Sequence, residues 1–517
     1  MKRQFLTTLL TYIAIVSAVA QERPSVPRLV VGITIDKLRS DYLQAFAPLY
    51  GEDGFIKLLN EGQVYKNVQY PFNSVDRASA IASIATGTSP YNHGIIGEQW
   101  LDRQSLHTIF CVDDNEQKGY NTTDCSSAKN LRVSTIGDEL KVATNGKSKV
   151  YAIAPNREAS ILAAGHAADW AMWIDTNSGK WAGTTYYGKE PQWLKNVHST
   201  SSSRIAQLEW SPLHTIKYNF YLASEQKDFK HSFKGDNPVR KYKNSALINA
   251  DITAAAKQCI YNKDVASDEC ADYLSICYYA GNYDSKSISE TTTELQDTYV
   301  RLDQEIATLL KTLDQAVGLS NTLIYLTSTG YDDTPNADLA KYRIPSGNFY
   351  INRCAALLNM YLVAIYGQGK YVEAYYDNQI YLNHSLLEQK HLKLNEIFDC
   401  CEDFLFQFQG VRDVFTSKRI IQGALTPGIK QIHEGFNTNC SGDILIHVEP
   451  GWTLINEDNG SRQIQRDSFL EFPLIFYGNN LKHEVINTPI TTDYIAPTVA
   501  HHIRIRAPNA CKAPPLF

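Results

Sequence analysis

The sequence predicts an α/β protein with a mostly parallel central sheet sandwiched between helices. Short, nearly continuous apolar runs recur along the chain: RLVVGITID (28–36), SKVYAIAP (148–155), NTLIYLTSTG (321–330), DILIHVEP (443–450) and FPLIFYG (472–478). A strand that is apolar on both sides is buried on both faces, as in a sheet covered by helices. Helical periodicity lies between those runs. In 291–318, Leu295, Tyr299, Leu302, Ile306, Leu309, Leu313 and Val317 recur every three or four residues and form one apolar stripe. Alternation of the two patterns implies layers of helix, sheet and helix. In such sheets ligands bind beyond the carboxyl ends of the strands.

The chain has 517 residues, 44% apolar and 20% charged, an ordinary globular composition. Its start, MKRQFLTTLLTYIAIVSAVAQ, has a basic beginning (Lys2, Arg3), a short apolar run and Ala18-Val19-Ala20 before Gln21. This reads as a secretory signal peptide over 1–20, its apolar run too short to span a bilayer. The mature chain is expected in the periplasm or outside the cell, with no transmembrane segment. Removing Lys2 and Arg3 takes the formal charge from −6 to about −8, which argues against nucleic acid as a partner. Ten cysteines are present without a zinc-type CxxC pair. An oxidising compartment permits disulfides, and Cys111 and Cys125, flanking a short polar loop, are the best candidate pair. The vicinal Cys400 and Cys401 fall in a helical stretch and read as packing.

Residues 21–517 read as one α/β domain with two intervals that leave the alternation. About 167–285, rich in Trp, Tyr, Ser and Lys, reads as an inserted cap, and about 335–440 as a mainly helical insertion.

Several segments carry a resemblance, in order. They are VVGITIDKLRSDYL (30–43), TGTSPYNHG (86–94), NLRVSTIGDELKVATNGKSKV (130–150), AAGHAADWAMWIDTNSGKW (163–181), LQDTYVRLDQEIATLL (295–310), PLIFYG (473–478) and TTDYIAPTVA (491–500). Together they resemble the alkaline phosphatase superfamily, in its type I phosphodiesterase/nucleotide pyrophosphatase-like branch with bacterial secreted phosphatases. The resemblance implies an alkaline phosphatase-like fold and two adjacent zinc ions held by Asp and His. It also implies a metal-bound Thr or Ser that attacks phosphorus.

Residue by residue, the family's site is mostly absent. Asp36 stands where the family has a strand-terminal metal ligand. Ten residues before Gly87, at the nucleophile position, stands Arg77, which has no nucleophilicity at biological pH. The Pro-x-His that follows the family's nucleophile is here Ser79 and Ile81. Ser74 and Ser79 are nearby hydroxyls, but serine at such a turn usually caps a helix. Asn282 and Lys286 fall at the Asp-x-x-x-His pair, Ser328 and Thr329 at the Asp-His turn, and Asn459 at the final His. Glu471 is another candidate for that last position. His447 reads as a core or sheet-face histidine. Of seven groups, only Asp36 is retained.

The replacements therefore imply a degenerate member without catalytic residues, a pseudoenzyme. Arg77 and Lys286 are cationic where metals would lie, and Arg157 matches a family arginine that contacts phosphate, although Pro155 stands where a lysine usually precedes it. Two readings stay open. Asp36, Arg77, Arg157 and Lys286 form a binding pocket for a phosphate- or sulfate-bearing ligand, or Asp36–Arg77 is a purely structural ion pair. An envelope protein partner is a further expectation, and no cofactor is expected. The alternative is a zinc-dependent phosphoric ester hydrolase with a relocated metal site at Asp36, Asp332 or Asp333.

Overall fold

The computed structural model describes residues 26–213, 228–285, 288–332, 343, 345–465 and 470–517. The expected signal peptide (1–20), Lys286 and Asp333 lie outside these described residues. Eleven strands form the central sheet. They are β1 (Leu29–Asp36), β2 (Gln63–Gln69), β3 (Gly119–Tyr120), β4 (Val150–Ile153), β5 (Trp170–Ile174), β6 (Trp181–Thr184), β7 (Asp272–Tyr279), β8 (Thr322–Ser328), β9 (Phe472–Gly478), β10 (Glu484–Ile486) and β11 (Ile490–Thr491). Their order across the sheet is β10-β2-β9-β8-β1-β7-β4-β5-β6-β3, with β11 also on β2. The centre, β8-β1-β7-β4-β5, is parallel. β9 runs antiparallel to β8.

The apolar runs are buried because helices cover both faces. Along β1, Leu29, Val31, Ile33 and Ile35 join a core with Ile252 of α3 (Leu247–Ile260) and Leu302, Ile306 and Leu309 of α4 (Ile288–Ala316). Val30, pointing the opposite way, joins a second core with Ile81 of α1 (Arg77–Thr86) and Ile161 of α2 (Arg157–Ala164). The helix expected over 291–318 is α4, and its stripe from Leu295 to Leu313 is buried. Gly32 has no room for a side chain, because a Cβ there would overlap the buried Tyr325 ring, whose hydroxyl bonds Tyr273 at 2.7 Å. Gly32→Ala should cost about 1–3 kcal/mol by overpacking, read as a lowered thermal midpoint.

Three sequence expectations need correction or completion. The interval 167–285 is not wholly a cap, since β5, β6 and β7 belong to the central sheet. Their polar flanks hid them, although β7 is buried along its whole length. In the described part of 335–440 helical residues outnumber strand residues, as expected, but the interval also contributes to a sheet that the sequence did not show. Helices Ile351–Tyr366 and Leu394–Leu405 pack on a four-stranded sheet of Val372–Tyr376, Gln379–Leu382, Ile444–Val448 and Val411–Thr416, with its own core. The run 443–450 therefore lies in this second sheet. His447 is half-buried there, near Phe415, a sheet-face position. Cys111 and Cys125 are both free thiols rather than a disulfide. Cys401 is buried in a helix and Cys400 contacts the Tyr366 hydroxyl.

Candidate functional site

β1 ends at Asp36, between the ends of β7 and β8: Asp36 is opposite Tyr279, and Ile35 opposite Ser328. The start of α1 is set by its own first turn. Asp76 accepts from the Ser79 amide at 2.8 Å, and the Asp76 amide donates to Ser79 Oγ at 3.0 Å, a capping box that defines where the helix begins. Ser79 is thereby committed to capping, and Ser74 is an exposed residue with φ 59°. The next side chain, Arg77, points at Asp36. Arg77 Nε donates to Asp36 Oδ2 at 2.9 Å, and Nη1 donates to Glu158 Oε1, on α2, at 2.6 Å. Thr329 Oγ1 donates to the other Asp36 oxygen at 2.9 Å and accepts from the Lys37 amide. Both carboxylates are buried, with side chains 3% exposed. Burial opposes the guanidinium charge, yet Tyr331, Asp36, Glu158 and Glu98 hold its proton more firmly than in free arginine.

Beside this cluster lies a cleft of about 170 Å³ lined by Arg77, Glu98, Phe110, Asp124, Asn156, Arg157, Glu158, Trp173, Thr176 and Lys243. Arg157 is not open to an anion as expected. It pairs with Asp113 at 3.1 Å and Asp124 at 3.7 Å, donates to Ser126 Oγ, and stacks on Phe110. Lys243, which the sequence did not single out, is buried and donates to Ile174 O and Thr176 Oγ1, both at 3.1 Å. Burial is the main reason its pKa falls to about 8. The Glu98 carboxyl is pushed up to about 7, first by burial and then by Glu158, with Arg77 pulling the other way. Lys243 lies 52 residues before Leu295, the first position of the α4 stripe, so no local motif signalled it.

The type I phosphodiesterase / nucleotide pyrophosphatase family profile matches residues 30–469. This chain belongs to that family. Alkaline phosphatase PafA of Elizabethkingia meningoseptica is 28% identical over 96% of this chain and 95% of its own length. Alkaline phosphatase PhoV of Synechococcus elongatus is 28% identical over 93% and 91%. The crystal structure of wild-type PafA superposes with a TM-score of 0.81 at 27% identity, covering 95% of this chain and 98% of that one. The fold is thus alkaline phosphatase-like.

Within this phosphodiesterase-family frame, the remaining positions hold few metal donors. Ser328 is buried and gives its hydroxyl to Leu38 O at 2.7 Å, while Thr329 is spent on Asp36. Asn282 is buried and follows Gly281, against which the stem of Lys37 packs. Lys37 is itself buried, its ammonium 5.4 Å from the Tyr331 ring centroid. Sequence reading missed this cation because it follows Asp36 directly and looks like an exposed loop lysine. Asn459 is exposed in the turn between strands Thr453–Asn456 and Ser461–Ile464, where its side chain accepts from the Ser461 amide. Glu471 is exposed, and its carbonyl accepts from the Ser40 amide. The Asp332 carboxylate pairs with Arg39 at 2.9 Å. Among the described residues no three His, Cys, Asp or Glu side chains converge as a metal site. Asp36 gives both oxygens to Arg77 and Thr329. A zinc pair does not fit this donor set. Among the described residues, no helix is long and apolar enough to cross a membrane.

Proposed function

We propose that this protein is an exported, non-hydrolytic member of its family that binds a small charged ligand instead of cleaving one. The observation that carries the reading is Arg77, clamped between two buried carboxylates at the position the resemblance assigns to the nucleophile. A guanidinium cannot attack phosphorus. Its charge instead offsets Asp36 and Glu158, keeping the strand ends folded without a metal. Metal and nucleophile supply the main catalytic effects of such a site, and the donor set argues against both together. The cleft beside Arg77 is the binding site in this reading. A ligand bearing phosphate or sulfate remains its expected class, with an envelope protein as the other class of partner.

The second reading, a zinc-dependent phosphoric ester hydrolase, is favoured by the names of the relatives, which are alkaline phosphatases. One assay separates the two. Purified protein supplied with zinc should turn over neither p-nitrophenyl phosphate nor bis-p-nitrophenyl phosphate above a buffer blank. Turnover that co-purifies with the chain and disappears in Asp36→Ala, with stoichiometric bound zinc, would establish the hydrolase and end the binding reading.

A further inference from the structure

We propose that the cleft accepts a compact zwitterion, its anionic group against Lys243 and its ammonium against Glu98. The inference deepens the binding reading above and rests on it. It comes from asking which charged groups in the cleft are already satisfied. Arg77 is shared by Asp36 and Glu158, and Arg157 by Asp113 and Asp124. Two lining residues differ. Lys243 is 7% exposed, and its bonds go to neutral oxygens, with no carboxylate among the described residues within 4.0 Å. A buried ammonium without a counter-ion is costly. The Glu98 carboxyl has no hydrogen-bond or ion-pair partner among the described residues. Only its backbone is engaged, the amide donating to Asp76 and the carbonyl accepting from Cys111. One unmatched cation and one unmatched carboxyl line the same cleft, and a ligand carrying both opposite charges satisfies each. A simple anion would satisfy Lys243 but face Glu98, Glu158 and Asp124.

The size agrees. The cleft, near 170 Å³, falls below the roughly 300–1,000 Å³ of pockets for drug-sized ligands, so a nucleotide is too large. Trp173 and Phe110 also line the cleft and supply apolar surface for a short carbon linker between the charges.

Calorimetric titration at pH 7.5 tests this with O-phosphoethanolamine as the zwitterion and with inorganic phosphate and ethanolamine as single-charge controls. O-phosphoethanolamine should bind at least tenfold more tightly than either control. Lys243→Met should weaken it at least tenfold, and Glu98→Gln should bring its affinity down to that of phosphate. Should Lys243→Met fail to fold by circular dichroism, Lys243→Gln replaces it, and Glu98→Gln alone still decides the ammonium contact. Equal affinity for phosphate and O-phosphoethanolamine, or unchanged binding in Glu98→Gln, overturns the proposal. Absence of binding without hydrolysis overturns this inference alone. Zinc-dependent release of phosphate from the probe would instead overturn the non-hydrolytic reading.

Discussion

Replacing Arg77 by threonine is expected to destabilise the protein by about 3–5 kcal/mol and to restore no hydrolysis. The substitution places a hydroxyl where the resemblance puts the family's nucleophile, so it separates the two ideas about this position. Among the described residues, Arg77 is the only charged partner of both Asp36 and Glu158. Removing it leaves two carboxylates buried and facing each other. Losing one partner of a buried pair costs far more than replacing the pair as a whole. The triple variant Asp36→Asn, Arg77→Met, Glu158→Gln should therefore recover much of the lost stability. Chemical denaturation of both variants checks this. The hydroxyl would gain nothing catalytically, because Asn282, Ser328 and Thr329 remain where ligands are needed. A stable Arg77→Thr protein that hydrolyses p-nitrophenyl phosphate with zinc would refute the account.

Glu98→Gln should stabilise the protein at pH 8 by about 3–4 kcal/mol, taking about 1.4 kcal/mol for each unit of displacement. The Glu98 pKa rises from 4.5 to about 7 in the folded protein, through burial and Glu158. The sign follows from proton uptake. A carboxyl with a raised folded pKa binds more protons folded than unfolded, so its stabilising contribution is full below about pH 4.5. That contribution is lost as the pH rises through 7. Between those limits the wild type should lose stability that the glutamine variant keeps. Thermal midpoints of both proteins from pH 4.5 to 8 measure the difference, and parallel curves would remove Glu98 from the explanation. A carboxyl held at such a cost is what a functional site does. The same variant is expected to lose selectivity for the zwitterion.

Much of this was legible along the chain. The β1, β8 and β9 runs and the α4 stripe are local patterns, so periodicity alone located them. Asp36 and Arg77 were legible as a pair because the resemblance places their segments together. β7 was not, because DYLSICYY is flanked by polar residues and mixes tyrosines with aliphatics, so its burial depends on neighbours supplied by β1 and β4. The second sheet was hidden for a like reason. Its strands are four to six residues long and lie between amphipathic helices, whose periodic signal dominates a sequence window. Arg157 was misjudged from the other direction. Its alignment to a phosphate contact was visible, but Asp113 and Asp124, which neutralise it, come from a loop some 30–45 residues earlier.

The sequence by itself determined the family and the fold class, and it set Arg77 where the resemblance places a nucleophile, because each is written in residue types at short spacing. Tertiary structure decided which charges cancel. Glu158 joins Arg77 only because α2 packs on α1, and Lys243 and Glu98 meet in one cleft although 145 positions separate them. Pairing energy depends on distance and burial, and neither exists until the chain is folded.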